Sequence, residues 1–354
     1  MIVNQWIPAA HRGDAVGDNE RVMRGLFRER GHESEIYALT IDEDLTEEIR
    51  PWHHSESRQG DVTMLHFAVP SPMTAALGTL PGARILHYHN VTPAHFFAPY
   101  DAGIAQMAAA GRRELATLAD RVDLALGVSS YNRDELDALG FRNTGVLPIV
   151  VDVDRLRDGL PVPSIEKVLQ DGLVNILFVG RIAPNKKIED HIRLAEHYKR
   201  YVDTYYRFIF VGKYDAVPRY FDTVRALIAK YQMLSDRFWF TGPVPDRELA
   251  AYYRNAHAYV SLSEHEGFCV PLVEAMAMDV PVLAYAAAAV PETLGGAGVS
   301  FAPKDLEQAA ELLGGLVYDD PFRRGVIEGQ RRRVLDFGRD RLALKLQAVL
   351  EAVA

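Results

Sequence analysis

Short apolar runs rich in β-branched and aromatic residues alternate along the chain with longer stretches of helical periodicity. Amphipathic segments such as Asn19–Arg30, Arg112–Arg121, Tyr220–Tyr231 and Asp246–Asn255 predict helices. The apolar runs predict strands at Ile2–Trp6, Glu35–Leu39, Val62–Phe67, Arg84–His89, Leu124–Ser129, Val146–Val150, Val174–Val179, Arg207–Val211, Phe238–Thr241, Ala258–Leu262, Pro281–Tyr285 and Val299–Phe301. Regular alternation of strand and helix is typical of parallel sheets covered by helices on both faces.

The alternation is interrupted near the middle by a polar, proline-containing stretch, Asp152–Gly172, which predicts a linker. A chain of 354 residues also exceeds what one hydrophobic core usually supports. We therefore predict an N-terminal α/β domain over residues 1–155 and a C-terminal one over residues 156–336, with helix 337–354 packing back on the first. Open parallel sheets bind ligands beyond the carboxyl ends of their strands, so a cleft between the two sheets is the expected site.

Composition narrows the classes of partner. The formal net charge of −9 argues against a protein that coats nucleic acid or an anionic membrane. One cysteine, Cys269, excludes an internal disulfide and a multi-thiolate metal site. No apolar run is long enough to span a bilayer and no secretory leader is recognisable, so a cytoplasmic location is expected, with peripheral membrane contact left open.

The strongest local signal is the run from Ser263 to Met276, SEHEGFCVPLVEAM. A strand ending near Leu262 leads into a polar loop, and a helix is expected to begin near Pro271, where its free N–H groups favour an anion. Glu266 in the loop and Glu274 on the helix can both face the strand ends, and carboxylates accept hydrogen bonds from sugar hydroxyls. The alternative is that neither carboxylate binds a ligand, with Glu274 only a surface residue near the N-terminus of the helix and Glu266 a solvated loop residue.

A second cluster, Phe178–Lys187, also follows a strand that ends in glycine. Arg181 cannot lose its charge, and with Lys186 nearby it suits a diphosphate whose charge grows as it leaves. Two further strands end at Gly212 and at Gly242, the latter followed by Pro243 and Val244. Such glycines can line a ligand with backbone, although ordinary turns explain any one of them.

These residues resemble the family-4 retaining glycosyltransferases of the GT-B fold, which has two Rossmann-like domains with parallel sheets facing an interdomain cleft. The resemblance rests on Gly180-Arg181-x4-Lys186 and on Glu266-x7-Glu274, followed by Ala275-Met276-Ala277 and Pro281-Val282. It covers the second half of the chain nearly throughout and the first half more loosely. Lys187 departs from the pattern, since many relatives have glycine there.

The resemblance implies a role for each matching position. Arg181 and Lys186 would hold the diphosphate and stabilise the leaving nucleoside diphosphate. Glu274 would bind the ribose, and Glu266 would contact the transferred sugar. The remaining donor-binding positions would contribute backbone or lie beside the base and diphosphate: Gly17, Gly180, Gly212, Gly242, Pro243, Val244, Gly267 and Phe268.

In the first half, Asp14–Asn19 resembles the family's glycine loop, although only Gly17 remains of the usual glycine pair. His66, at the end of a predicted strand, resembles an active-site histidine, and a structural hydrogen bond is the alternative. His87 and His89 share one face of the next predicted strand. His89 and Asn90, at its carboxyl end, are candidate acceptor contacts, and the segment Thr92–Tyr100 could shape an acceptor pocket or simply pack in the core.

No metal and no cofactor are expected. Asp-x-Asp occurs at Asp42-Glu43-Asp44 and at Asp152-Val153-Asp154, the pattern by which other nucleotide-sugar enzymes hold a divalent cation. Neither is accompanied by a glycine loop or a paired ligand, and Arg181 and Lys186 already supply positive charge. Both are therefore interpreted as solvated surface.

The sequence predicts a hexosyltransferase of class EC 2.4. It would move a sugar from GDP-mannose or a UDP-hexose to a hydroxyl of a glycan, as in polysaccharide biosynthesis, or of a small molecule, and the resemblance implies that the reaction retains the anomeric configuration. A nucleotide-sugar epimerase of the same fold and a non-catalytic nucleotide-sugar binding protein are the alternatives. A dinucleotide dehydrogenase is disfavoured, because no strand leads into Gly-x-Gly-x-x-Gly.

Overall fold

The computed structural model describes residues 1–11, 15–231 and 235–353. The chain divides into two compact units. Unit 1 comprises residues 1–95, 102–151 and 337–354, and unit 2 comprises residues 96–101 and 152–336.

Unit 1 is built on a seven-stranded parallel sheet with the strand order β3-β2-β1-β4-β5-β6-β7. Its strands are β1 (Ile2–Ala10), β2 (Glu33–Ile41), β3 (Arg50–Pro51), β4 (Val62–Phe67), β5 (Ala83–Tyr88), β6 (Leu124–Gly127) and β7 (Thr144–Val146). The order reverses between β1 and β4, which makes this the topological switch point of the sheet.

Four helices connect these strands: α1 (Ala15–Glu29), α2 (Pro72–Leu77), α3 (Ala102–Ala116) and α4 (Ser130–Ala138). Apolar residues of the strands and of α1 pack together on one side of the sheet. Trp6 and Tyr88 contribute to the apolar cluster on the other side. The sheet is therefore covered on both faces, as its near-continuous apolar strands require.

Unit 2 repeats this architecture with a six-stranded parallel sheet in the order β10-β9-β8-β11-β12-β13. The strands are β8 (Val174–Val179), β9 (Tyr206–Val211), β10 (Phe238–Gly242), β11 (Ala258–Ser261), β12 (Val282–Tyr285) and β13 (Val299–Phe301). Here the switch point falls between β8 and β11.

The helices of unit 2 alternate with its strands, and α5 and α6 precede the first of them. They are α5 (Asp154–Arg157), α6 (Pro163–Leu169), α7 (Ile188–Tyr201), α8 (Pro218–Lys230), α9 (Asp246–Arg254), α10 (Val270–Ala277), α11 (Val290–Leu294), α12 (Leu306–Tyr318) and α13 (Asp320–Val334). Short 3-10 turns lie at Glu43–Leu45, Ser55–Arg58, Ala94–Phe96, Pro184–Lys186, Ser235–Arg237 and Leu335–Phe337. The linker predicted at Asp152–Gly172 is wrong in part, because it contains α5 and α6.

The last helix, α14 (Arg339–Glu351), returns to unit 1. Leu342, Leu346 and Leu350 lie on its buried face among the apolar residues of α1 and the sheet. Arg339 also pairs with Glu29 at the end of α1. Among the described residues, no helix has the length and apolar character needed to cross a bilayer.

Several predicted boundaries were wrong, and two elements show why. The strand predicted at Val146–Val150 ends at Val146. Pro148 has no N–H to donate to the ladder, and the main-chain N–H of Val150 donates to the Asn19 side chain at 3.0 Å, so the apolar run leaves the sheet. The helix predicted at Arg112–Arg121 spans Ala102–Ala116, because its alanine-rich first half is helical without a marked polar face.

Candidate functional site

The two motifs of the second half meet at the switch point of unit 2. The loop with Arg181 and Lys186 follows β8, and the loop with Glu266 follows β11, the neighbouring strand. Two hydrogen bonds join the loops: the Asn185 side chain donates to the His265 carbonyl at 3.0 Å, and the Glu264 N–H donates to the Asn185 carbonyl at 2.9 Å. Buried Asn185 therefore fixes the loops to each other, which keeps the charged residues in register.

Lys186 and Glu266 form an ion pair in this site. The Lys186 Nζ lies 2.6 Å from each carboxylate oxygen of Glu266. The Glu266 side chain is 8% exposed and that of Lys186 19%. Each charge is thereby compensated in a place where an unpaired one would be costly. A diphosphate entering the site would compete with Glu266 for the lysine.

Arg181, directly after β8, is exposed. Within the described part of the chain, its guanidinium makes no ion pair and no hydrogen bond. Unlike Lys186, it has no carboxylate partner there that an anion must displace. It thus supplies a full positive charge in the stretch between β8 and Lys186.

Glu274, on α10, is nearly buried and held from two sides. Arg155, on α5, binds one carboxylate oxygen, and the Tyr253 hydroxyl donates to the other at 2.9 Å. Arg155 also pairs with Asp246 at the start of α9. Burial raises the pKa of Glu274 above its ordinary value, and Arg155 opposes that rise. Each carboxylate oxygen keeps a lone pair for a ligand hydroxyl, since each has two.

Nothing in the sequence pattern marks Arg155 or Tyr253 as a residue of the site. Arg155 lies in the stretch interpreted as a linker, and Tyr253 reads as a core residue of an amphipathic helix. An arginine more than 100 residues from Glu274 leaves no local signal. The only hint is the helical spacing of Asp154–Arg157, which is too short to be recognised against the polar background.

The segment between Glu266 and α10 places backbone at the site. Gly267 and Phe268 are buried there, and the Phe268 carbonyl accepts a hydrogen bond from the Thr293 hydroxyl at 2.6 Å. Cys269, buried at the start of α10, has its thiol close to Glu266, and burial raises its pKa. That thiol therefore stays protonated and is not a nucleophile at neutral pH.

The glycines at the ends of β8, β9 and β10 contact one another. A Cβ on Gly212 would lie 2.3 Å from the Gly180 carbonyl oxygen, and the Gly212 N–H donates to the Gly242 carbonyl at 3.0 Å. Close backbone packing therefore requires glycine at position 212. Pro243 follows in an exposed position, and Val244 is half-buried. The role of these positions in donor binding stays a prediction.

Lys187 has a positive φ of 52°, and this explains why glycine suits its position. Its ammonium lies 3.5 Å from Glu189 and 3.2 Å from Glu264. These two ion pairs hold the side chain against acidic residues of unit 2. The departure from the family pattern is thus accommodated locally.

Part of the predicted acceptor segment belongs to unit 2. Residues 96–101 are grouped with it. The Phe96 ring lies 6.1 Å from the His265 ring, and the Tyr100 ring lies 5.1 Å from the Tyr220 ring. The segment therefore brings aromatic surface next to the loop that carries Glu266.

The candidate histidines of unit 1 lie at the switch point between β1 and β4. The parallel register pairs His66 with His87, and His89 follows β5. The side chains of His66 and His89 are 0% and 1% exposed. Burial lowers the pKa of His66 and of His87 to about 3, and that of His89 well below its ordinary value, so all three rings are neutral at pH 7. A direct contact of His66 or His89 with substrate stays a prediction.

The other unit 1 candidates lie at the edges of this cluster. Asn90 is half-buried, with a φ of 81°, and its side-chain oxygen accepts from Asn132 at 3.2 Å. Gly17 lies in the first turn of α1 rather than in a loop, because the helix begins at Ala15. Asp14, the first residue of the predicted glycine loop, lies outside the described residues.

The two Asp-x-Asp motifs occupy turns of different kinds. Asp42 lies 2.8 Å from the exposed His11 ring, and Asp44 belongs to the 3-10 turn that follows. The Asp152 side chain accepts from the Arg155 N–H at 3.4 Å at the start of α5. Asp154 belongs to α5, with Arg157 3.9 Å away.

The sequence of the second half matches a known family. Residues 165–333 match the family described as "Glycosyl transferases group 1". A relative from Mycolicibacterium smegmatis, "GDP-mannose-dependent alpha-mannosyltransferase", is 32% identical over 240 residues, which make up 63% of this chain and 56% of the relative. The match thus spans little more than half the relative's length. For a mannosyltransferase of Escherichia coli, WbdA, it spans 18%.

Solved structures agree with the whole fold. Sucrose-phosphate synthase from Thermosynechococcus elongatus superposes with a TM-score of 0.75 at 16% identity, over 99% of this chain and 98% of that one. Anabaena HepE, solved with UDP and glucose, gives 0.77 at 14% identity, over 99% and 100%. At such identities the likeness shows the fold, which is GT-B, as predicted.

The chain therefore carries a glycosyltransferase domain of the group 1 family over residues 165–333, within a GT-B fold. This confirms the predicted glycosyltransferase class at the level of the domain. The narrower family-4 assignment stays a prediction.

Proposed function

We propose that the protein is a retaining glycosyltransferase that transfers a hexosyl group from a nucleoside-diphosphate sugar to a hydroxyl of a glycan. The observation that carries this proposal is the meeting of Arg181, Lys186 and Glu266 at the switch point of unit 2, with Glu274 buried on the next helix. Open α/β sheets bind nucleotides at such points. Cations and hydroxyl-binding carboxylates together match the two chemical features of the donor.

Each side chain then has a role. Arg181 and Lys186 contact the diphosphate and stabilise the charge that develops as the bond between the sugar and the phosphate breaks. Glu274, oriented by Arg155 and Tyr253, accepts hydrogen bonds from the ribose. Glu266, released from Lys186 when the diphosphate binds, accepts hydrogen bonds from the transferred sugar.

The reaction needs no nucleophile from the protein. The departing phosphate oxygen takes the proton of the attacking acceptor hydroxyl, and the new glycosidic bond forms on the face that the diphosphate leaves. Protein cations take the place of a divalent ion at the diphosphate. Of the two candidate acceptor contacts, His89 and Asn90, the side chain of Asn90 is the more accessible.

We assign GDP-mannose as the donor. Several relatives are named for mannose transfer, and one of them for its dependence on GDP-mannose. UDP-hexoses are the comparison substrates in the test, since HepE was solved with UDP-glucose.

Transfer is tested by incubating the full chain with GDP-mannose or UDP-glucose, with and without mannose-containing oligosaccharides. Mass spectrometry should detect release of GDP and addition of one hexose to an acceptor. A donor isomer formed without acceptor would instead identify an epimerase. Tight donor binding with neither transfer nor slow hydrolysis would identify a binding protein.

A further inference from the structure

A second convergence of polar side chains lies in unit 1, at the switch point between β1 and β4. Glu20 on α1, His66 on β4, and His87 and His89 at the end of β5 form it, and we call these four residues the histidine cluster. One ligand atom from each of the three histidines lies within 4.8 Å of those of the other two. The proposed transfer reaction does not require this arrangement.

Hydrogen bonds fix which nitrogen of His66 carries the hydrogen. The Gln5 side-chain amide donates to the Glu20 main-chain carbonyl at 3.1 Å, so the Gln5 Oε1 is the atom that faces His66. The His66 Nε2 lies 3.1 Å from that oxygen and must donate to it. In the neutral ring, Nδ1 is left with a lone pair that points into the cluster.

His87 is oriented in the same way. Its Nε2 donates to the Leu147 carbonyl at 2.8 Å, so its Nδ1 also carries a lone pair. That atom lies 3.3 Å from the His66 Nδ1. A carboxylate oxygen, Glu20 Oε1, lies 2.8 Å from the same His66 atom. Lone pairs of two imidazole rings and a carboxylate oxygen therefore converge.

The distances suit a bound cation. The His89 Nε2 lies 3.0 Å from the His66 Nδ1 and 3.7 Å from the Glu20 Oε1. A circle through these three atoms has a radius of about 1.9 Å, just below the roughly 2.0–2.2 Å of zinc–nitrogen and zinc–oxygen bonds. With those bond lengths, two ligand atoms of a tetrahedral zinc lie about 3.3 Å apart. The three distances between the ligand atoms here, 2.8, 3.0 and 3.7 Å, fall around that value.

The donor set indicates the class of metal. Imidazole nitrogens suit zinc and its neighbours in the first transition row, whereas Mg²⁺ and Ca²⁺ prefer oxygen. Histidines that bind metal usually donate their other ring N–H to a carbonyl, which orients the ring. Gln5 and the Leu147 carbonyl do this for His66 and His87.

We propose that the histidine cluster binds one divalent transition-metal ion of the zinc class through His66 Nδ1, His87 Nδ1, His89 Nε2 and Glu20 Oε1. Four protein ligands leave no open position, which is typical of a structural site. The ion would tie α1 to β4 and β5. The inference stands on unit 1 alone and gives His66 and His89 a role other than contact with sugar or acceptor.

The test uses the full chain purified without a metal-affinity step. Elemental analysis should find about one zinc per chain, and the metal-stripped chain should take up one equivalent of Co²⁺ with the intense visible absorption of tetrahedral cobalt. A chain that contains no metal and shows no such absorption with Co²⁺ overturns the proposal, and the cluster is then held together by shared protons.

Variants locate the ion. Glu20→Gln and His87→Gln should each weaken Zn²⁺ binding by more than about 100-fold, because losing even an outer-shell partner costs about 10–100-fold. His191→Gln is the matched control, since His191 is a buried histidine of unit 2 bonded to the carbonyls of Lys187 and Val260. Circular dichroism checks folding. Unchanged Zn²⁺ affinity in both folded cluster variants would place the metal elsewhere and contradict the assignment.

Discussion

The ion pair between Arg155 and Glu274 should stabilise unit 2 by an amount that can be measured. The Glu274 side chain is 4% exposed and that of Arg155 24%. Breaking a buried pair costs about 3–5 kcal/mol, because the remaining charge is left uncompensated. Water reaches Arg155, and Tyr253 still donates to Glu274 in the variant. We therefore expect Arg155→Met to lower the free energy of unfolding of unit 2 by about 2–3 kcal/mol at pH 8.

This cost should depend on pH in a defined direction. Burial already raises the folded-state pKa of Glu274, and loss of Arg155 raises it further. Between the unfolded and folded pKa values the folded state binds more protons, so stability falls as the pH rises through that window. The cost of Arg155→Met should be smaller at pH 5, where more of the carboxyl is protonated, than at pH 8.

The assay must read unit 2 separately, since a chain with two units need not unfold in one step. Urea unfolding followed by pulsed hydrogen exchange, with peptides from β8 and β11, meets this need. Arg225→Met is the control, because Arg225 and Asp222 are 69% and 72% exposed and pair only at 3.9 Å. It should change stability by less than about 0.5 kcal/mol. A cost for Arg155→Met that matches this control, or that does not vary with pH, would show that Arg155 does not compensate a buried charge on Glu274.

Three further predictions concern the same unit. Lys186→Ala should raise the activation free energy of transfer by about 2–4 kcal/mol and so slow turnover, because one charge contact with the transition state is lost. Lys230→Ala, at an exposed lysine, should leave turnover unchanged, and steady-state kinetics measures both variants. Chelators should leave the affinity for GDP-mannose unchanged in calorimetry, and a loss restored only by Mg²⁺ or Mn²⁺ would favour an Asp-x-Asp site. Gly212→Ala should lower the unfolding temperature, because the new Cβ meets the Gly180 carbonyl, while the exposed Gly325→Ala should not.

Most of the strands could be predicted from sequence, but some of their ends were misplaced. The apolar runs at Val62–Phe67 and Val174–Val179 coincide with β4 and β8, because both are buried on both faces. Val146–Val150 is equally apolar but leaves the sheet at Pro148, which has no N–H for the ladder, and the N–H of Val150 then donates to Asn19, far away in sequence. The pattern of apolar residues shows which positions are buried. The end of a strand depends instead on which groups form hydrogen bonds with its backbone.

The candidate site was predictable where its residues follow strands directly. Arg181, Lys186 and Glu266 follow β8 and β11, so the topology of a parallel sheet brings them together. The partners that orient them were not predictable. Arg155 reaches Glu274 from an element taken for a linker, and Asn185 joins the two loops through a side chain with no motif of its own.

The histidine cluster shows the same limit. His66, His87 and His89 were each noted in the sequence, and their strands were predicted. Their convergence depends on the register that pairs His66 with His87, and on Glu20 of α1. No spacing rule for metal ligands covers residues contributed by two parallel strands and a helix, because parallel register is not encoded locally.

Calorimetric titration of GDP and GDP-mannose into the full chain and its Arg181→Ala variant shows whether cations of unit 2 bind the donor's diphosphate. Arg181 is exposed and makes no ion pair with the described residues, so its loss should not disturb the fold. We expect a loss of affinity of about 10- to 100-fold for both ligands, the value of one hydrogen bond to a charged group, and no change in Arg225→Ala. Equal affinity in Arg181→Ala and the unmodified chain would mean that Arg181 does not bind the diphosphate.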